Sequence, residues 1–188
     1  GIDLDDATNL LFSVPGISAQ PKPRPDSIQP ETNKFVIAIS PNVTPTICEV
    51  RIAGRFGVSN PRAFVVGELA EIAYPSGNNS VTSALPVTVE TTVNGRVGAN
   101  AVDHFRITVR KDQRILFDCS AREIDSRIDP VLAIRDSNGR ELERSRRSGL
   151  LDFTAPSDGD YFLALHDSLY RGGDEYFYRL TCGTGPHL

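Results

Sequence analysis

The chain contains no Met and no Trp, and only three Cys, among 188 residues. Cys48, Cys119 and Cys182 include no C-x-x-C pair, so no zinc-ribbon or zinc-finger signature is present. An odd count leaves at least one thiol unpaired within the chain. No run of about 18 apolar residues exists, so insertion into a membrane as a helix is excluded. Positive charge is not in excess. Twenty Lys and Arg stand against 24 Asp and Glu, a net −4, which argues against a general polyanion binder and hence against a nucleic-acid partner. There is no G-x-S-x-G nucleophile elbow. There is no signal-peptide core either, since the apolar stretch 10–14 is too short, and residue 1 is Gly. The chain is therefore read as a processed or cut piece of a larger protein.

What is present points to strands. Fifteen Gly and 13 Pro imply many turns, and Val and Ile recur in short runs. Phe35, Ile37 and Ile39 alternate with Val36 and Ala38 at a period of two. Cys48, Val50 and Ile52 share one face, opposite Glu49 and Arg51. Residues 63–66 form a further apolar run. Residues 20–30 carry Pro21, Pro23, Pro25 and Pro30 and read as an extended surface loop of polyproline type, outside any sheet.

Residues 68–85 break the rhythm with Pro75-Ser-Gly-Asn-Asn-Ser80 and are taken as a linker. Beyond it, strand patterns return at intervals of about 8–12 residues, as in a sandwich. His104, Arg106 and Thr108 alternate with Phe105, Ile107 and Val109. Ile115, Phe117 and Cys119 alternate with Leu116 and Asp118. Tyr176, Tyr178, Leu180 and Cys182 share the face of a last strand. Only 4–11 and 69–73 suggest even one helical turn. Each Cys falls on the apolar face of its strand. Cys119 and Cys182 either bridge, in an oxidising compartment, or remain two buried thiols.

These residues carry a family resemblance. From Thr92 to Gly183 the chain resembles a bacterial pre-peptidase C-terminal domain. The motifs are Val93-Asn-Gly-Arg-Val97, Asp103-His-Phe-Arg-Ile107, Asp129-Pro-Val-Leu-Ala-Ile134, Asp136-Ser-Asn-Gly139, Leu151-Asp-Phe-Thr-Ala-Pro156 and Asp158-Gly-Asp-Tyr161. The resemblance implies a jelly-roll β-sandwich, used as an accessory module in secreted proteins and often found beside proteases. Residues 1–67 resemble part of an immunoglobulin-like domain of the IPT/TIG kind, through Leu10-Leu-Phe-Ser-Val-Pro-Gly-Ile17 and residues 48–64. That likeness implies a missing or borrowed edge strand, open to strand addition and self-association. The resemblance to collagen-binding relatives also implies calcium, at Asn78, Asn79 and Asp103. The acidic residues expected before the asparagines are replaced here by Pro75, Ser76 and Gly77, which weakens the site because calcium affinity follows ligand charge.

Other candidate chemistry yields to simpler readings. His104, His166 and His187 read as surface histidines and not as zinc ligands. Asp136-Ser-Asn-Gly139 with Glu141 reads as a hairpin turn and not as a calcium loop, since Asn-Gly supplies the positive φ a turn needs. Arg144, Arg146 and Arg147 are flanked by Glu141 and Glu143 and read as a salt-bridged turn. Asp125, Arg127, Asp129, Arg135 and Asp136 suggest an ion-pair network. The sequons at Asn42 and Asn78 are patterns common by chance. Among the late tyrosines, Tyr170 with Arg171 is the best candidate for an exposed ligand surface.

The expectation is an all-β chain of two β-sandwich domains. An incomplete immunoglobulin-like sandwich (1–67) and a linker (68–85) precede a jelly-roll-type sandwich (86–188). The function expected is non-catalytic: a secreted, cell-surface or periplasmic module for binding, targeting or spacing, with an extracellular protein or polysaccharide as partner. Alternatives are an accessory region of a secreted protease or other hydrolase, and a purely structural surface element.

Overall fold

The computed structural model describes residues 7–74, 77–146 and 149–185. The described residues are almost entirely strand and turn, and the chain divides into two compact units between Gly67 and Glu68.

The first unit contains β1 (Ala7–Phe12), β2 (Ile17–Pro21), β3 (Phe35–Ile39), β4 (Thr46–Gly54), β5 (Gly57–Val58) and β6 (Arg62–Val66). β4 is the organiser. It pairs with β1 on one side, and with β5 and β6 on the other, while β2 and β3 form a separate antiparallel ribbon. Residues 7–11, read from sequence as a helical turn, are strand because β4 offers a partner along their length. The proline-rich stretch also enters a sheet at its start. Pro21 closes β2 opposite Phe35, a place where the missing N–H of proline is harmless. This unit is thinly packed. Cys48 and Val66 are its buried apolar residues, whereas Val36, Ile39, Phe56 and Val58 are exposed.

The second unit is a sandwich of two five-stranded sheets. Its strands are β7 (Ala70–Ala73), β8 (Leu85–Pro86), β9 (Thr91–Arg96), β10 (Asp103–Val109), β11 (Arg114–Ser120), β12 (Pro130–Arg135), β13 (Glu141–Arg146), β14 (Leu150–Thr154), β15 (Gly159–Asp167) and β16 (Phe177–Gly183). One sheet runs β13-β12-β15-β10-β8, and the other β14-β11-β16-β9-β7. Alternation places Phe105, Ile107, Leu132, Ile134, Leu163 and Leu165 of the first sheet against Val93, Ile115, Phe117, Leu180 and Cys182 of the second. Burying one such side chain is worth roughly 1.5–3 kcal/mol, so this interface stabilises the unit.

Residues 68–85 do not behave as a free spacer. β7 lies parallel to β9, and β8 lies parallel to β10, so this stretch supplies a short edge strand to each sheet. Glu71 of β7 accepts from the buried Arg179 guanidinium at 2.7 Å and from Asn94 Nδ2 at 2.7 Å. Such charge-assisted bonds hold β7 although none of its side chains is buried.

The thiols are free. Cys119 pairs with Leu180 and Cys182 with Phe117, so the two sulfurs occupy diagonal positions on neighbouring strands. Diagonal Cα atoms sit about 7–8 Å apart, beyond the reach of a disulfide. Burial pushes the Cys119 thiol well above its usual range and that of Cys182 up to about 12.

Candidate functional site

The geometry that singles out one surface begins with Asp167, the last residue of β15. Its side chain is wholly buried and accepts five hydrogen bonds. Oδ1 takes the Asp129 N–H (2.9 Å) and Arg171 Nη2 (3.1 Å). Oδ2 takes the N–H of Leu169 (3.0 Å) and Arg171 (3.1 Å), and Arg171 Nε (2.9 Å). Burial alone would raise the carboxyl. The Arg171 guanidinium and the three backbone N–H groups outweigh it and hold the carboxyl at about 2.

The same carboxylate fixes the loop 168–176. Ser168 donates its hydroxyl to Asp129 Oδ2 at 2.8 Å, and Asn100 N–H donates to the Tyr170 carbonyl at 2.8 Å. Gly173 N–H donates to Val97 O at 3.0 Å. Gly172 fits because it has no Cβ, which would stand 2.1 Å from the Gly98 carbonyl carbon. Tyr170 is thereby held at φ 55°, a left-handed conformation that non-glycine residues seldom adopt. Its ring lies parallel to that of His166, with centroids 4.4 Å apart and planes 3° apart, and the residue remains 47% exposed. His166 is itself buried, with Nδ1 2.8 Å from the Asp167 carbonyl. A carbonyl only accepts, so Nδ1 carries the proton. Arg171, also exposed, lies over the Tyr176 ring at 5.7 Å.

The outer face of the adjoining sheet continues this surface. Arg144, Ala133, Ala164 and His104 stand side by side across β13, β12, β15 and β10. The next row is Glu141, Arg135, Phe162 and Arg106. Arg144 grips Glu141 with both arms of its fork, Nε at 2.6 Å, and Arg135 reaches the same carboxylate at 3.6 Å. Burial first, and the Arg135 charge second, lower the His104 pKa. His104 is thus half-buried and not the solvated histidine expected. His166 departs further from that reading, since it is the base of the tyrosine stack. His187 lies outside the described residues.

The calcium candidates are arranged differently from a cation cage. Asn78 is buried, donates Nδ2 to His104 O at 2.8 Å, and leaves Oδ1 without a hydrogen-bond partner. That orphan oxygen alone would suit a cation. Asn79 faces solvent. Of the three candidates Asp103 alone carries a carboxylate; burial raises its pKa, and Tyr178 donates its hydroxyl proton to Oδ2 at 2.6 Å. Calcium needs six to eight oxygens and gains from anionic charge. Among the described residues, no three His, Cys, Asp or Glu side chains gather into a metal site. This donor set, two amides and one carboxylate that already accepts from Tyr178, is poor in the anionic charge that calcium favours. Pro75 and Ser76 lie outside the described residues.

The turn at 136–139 is a hairpin, with Gly139 N–H donating to Asp136 O at 2.9 Å and Gly139 at φ 80°. The expected ion-pair network divides among other partners. Arg127 pairs with Glu175 (2.7 Å), Arg135 with Glu141 (3.6 Å) and Asp136 with Arg140 (3.3 Å). Two of these pairs close within the hairpin around 136–139, and only Arg127 reaches far along the chain, to Glu175. Of the basic cluster, Arg144 belongs to the sheet face, whereas Arg147 lies outside the described residues. The sequence singles out Tyr170 and Arg171, reads His166 as a surface histidine and Arg144 as part of a salt-bridged turn, and passes over Asp167. The i,i+4 spacing of Asp167 and Arg171 was the one legible signal. The tyrosine stack had none.

No family model matches this chain. Nor does any curated protein. Solved structures do show likeness. One is the pre-peptidase C-terminal domain of a collagenase from Bacillus anthracis, at 17% identity and a TM-score of 0.43, covering 53% of this chain and 93% of that one. Another is PliG of Aeromonas hydrophila, a periplasmic inhibitor of g-type lysozyme, at 11% identity and a TM-score of 0.41, covering 60% and 99%. The secreted serine protease VesC of Vibrio cholerae is similar at 9% identity and a TM-score of 0.34, covering 97% of this chain and 44% of that one.

Proposed function

We propose that this chain is a non-catalytic extracellular binding module whose contact surface is centred on Tyr170 and Arg171. The observation that carries the reading is the state of Tyr170. An aromatic residue 47% exposed is held at φ 55° and stacked on a buried histidine. Strain of this kind costs on the order of 1–3 kcal/mol and persists where surrounding structure enforces it, commonly at ligand contacts. The platform is rigid before any ligand arrives, which limits the ordering cost of binding. The first unit, read as an incomplete immunoglobulin-like sandwich, serves as a spacer.

The test is a pull-down on insoluble polysaccharides and on collagen, using the intact chain and Tyr170→Asn. Asparagine tolerates the left-handed backbone, so the ring is lost without added strain. Retention of the parent chain on at least one matrix, lost in the variant, supports the reading. Retention unchanged in the variant refutes it.

A further inference from the structure

We infer that the surface around Tyr170 takes an acidic polysaccharide, a polymer whose sugar rings carry carboxylates. The inference rests on the reading of Tyr170 as a contact residue and adds the chemical class of the ligand. It comes from the sheet face beside Tyr170, where charge is distributed unlike the rest of the chain. The whole chain carries −4. On this face Arg106, Arg135 and Arg144 stand against Asp160 and Glu141, and Arg135 and Arg144 share Glu141. Two guanidiniums on one carboxylate leave positive charge uncompensated, and Arg135, at 3.6 Å, is the looser of the two. An incoming carboxylate has a fork-shaped donor available to it.

The shape of the face agrees. Ala133 and Ala164 lie at the centre of the row between Arg144 and His104. They are 1% and 4% exposed, so larger neighbours close over them. On this face the register sets planar groups beside them: His104 and Arg144 in the same row, Phe162 and Arg135 in the next, and His166 with Tyr170 stacked on it. The row crosses three strand spacings, about 14 Å at roughly 4.8 Å each, long enough for more than one ring of an extended polymer. Sugar rings stack on the free face of an aromatic group, and here Tyr170 presents one face while His166 covers the other. An acidic peptide fits less well. The backbone groups of β12 and β15 are consumed in the sheet, so a peptide gains no strand pairing on this face.

The experiment is affinity electrophoresis and calorimetry of the intact chain with three polymers: polygalacturonate, the neutral galactan obtained by reducing its carboxylates, and polyglutamate. Variants are Arg144→Gln, Arg135→Gln and Tyr170→Asn, each checked for an unchanged circular dichroism spectrum. Two arginine variants are used so that misfolding of one leaves the other to decide. The expected result is binding to polygalacturonate that weakens with salt. It should fall at least tenfold in either arginine variant and in Tyr170→Asn, with no binding to the neutral polymer. Equal binding of the acidic and neutral polymers, lost in Tyr170→Asn, overturns the acidic class and leaves the binding reading intact. Polyglutamate binding as tightly as polygalacturonate overturns it in favour of an acidic peptide. Binding of none of the three overturns the inference, and failure on collagen and neutral matrices as well would also remove the broader reading.

Discussion

Asp167→Asn tests whether one carboxylate holds the loop that presents Tyr170. The wild-type carboxyl is depressed from 3.8 to about 2. At 1.36 kcal/mol per unit, that difference corresponds to roughly 2 kcal/mol of stability at neutral pH. Asparagine is nearly isosteric but turns one acceptor into a donor, directed at N–H groups that can only donate. The loss at pH 7 should therefore be about 2–4 kcal/mol. The sign follows from linkage. A carboxyl depressed in the folded state contributes fully above its unfolded pKa of about 4, and the contribution fades as pH falls through about 2. Asp103 and Asp118, both raised first of all by burial, act in the opposite sense and favour the fold when protonated. They are common to both proteins, so the difference between wild type and variant isolates Asp167. The assay is urea unfolding followed by circular dichroism at pH 7, 5, 3 and 2. The gap should be steady at the first two values and narrow below them. A gap under about 0.5 kcal/mol at pH 7, or one that does not narrow at pH 2, would refute the role assigned to this residue.

Further outcomes follow from the same structure. Millimolar calcium should leave the thermal midpoint within about 1 °C of that in chelator, since Asp103 brings a single carboxylate that already accepts from Tyr178; a rise of several degrees would show that Asn78 and Asp103 hold the ion. Gly172→Ala should cost about 3 kcal/mol and weaken ligand binding together with stability, because its Cβ would meet backbone at 2.1 Å, where no rotamer change relieves the clash. Native protein should react slowly with a thiol reagent and yield three thiols once unfolded in guanidinium. A count of one would show that a disulfide forms after all. Glu71→Gln should destabilise the second unit by about 1–3 kcal/mol, measured by denaturant unfolding, since Arg179 is buried and loses a charged partner there. No change would mean that β7 is held by its backbone pairing alone.

Alternation alone determined the central strands of the second unit. Phe105, Ile107, Ile115, Phe117, Leu180 and Cys182 were placed on inward faces from a period of two, and they face inward. Hydrophobic burial acts on local pattern, and that pattern is written along the chain. The hairpin at 136–139 was legible for the same reason, because a positive φ at Gly139 is a local requirement. Edge strands were not. Residues 70–73 and 85–86 carry no apolar alternation, and they became strands because β9 and β10 offered unpaired backbone. The thiol pair likewise depended on a register shift of two residues between β11 and β16 that no spacing encodes. The candidate site followed the same division. Tyr170 was visible as a ring beside a Gly pair. The stack on His166, the burial of Asp167 and the sharing of Glu141 by two arginines arise from side chains converging from β12, β13, β15 and the loop 168–176. A sequence states which side chains a strand carries and to which face. Which charges finally meet is decided by strand order in the sheet, and only the folded chain sets it.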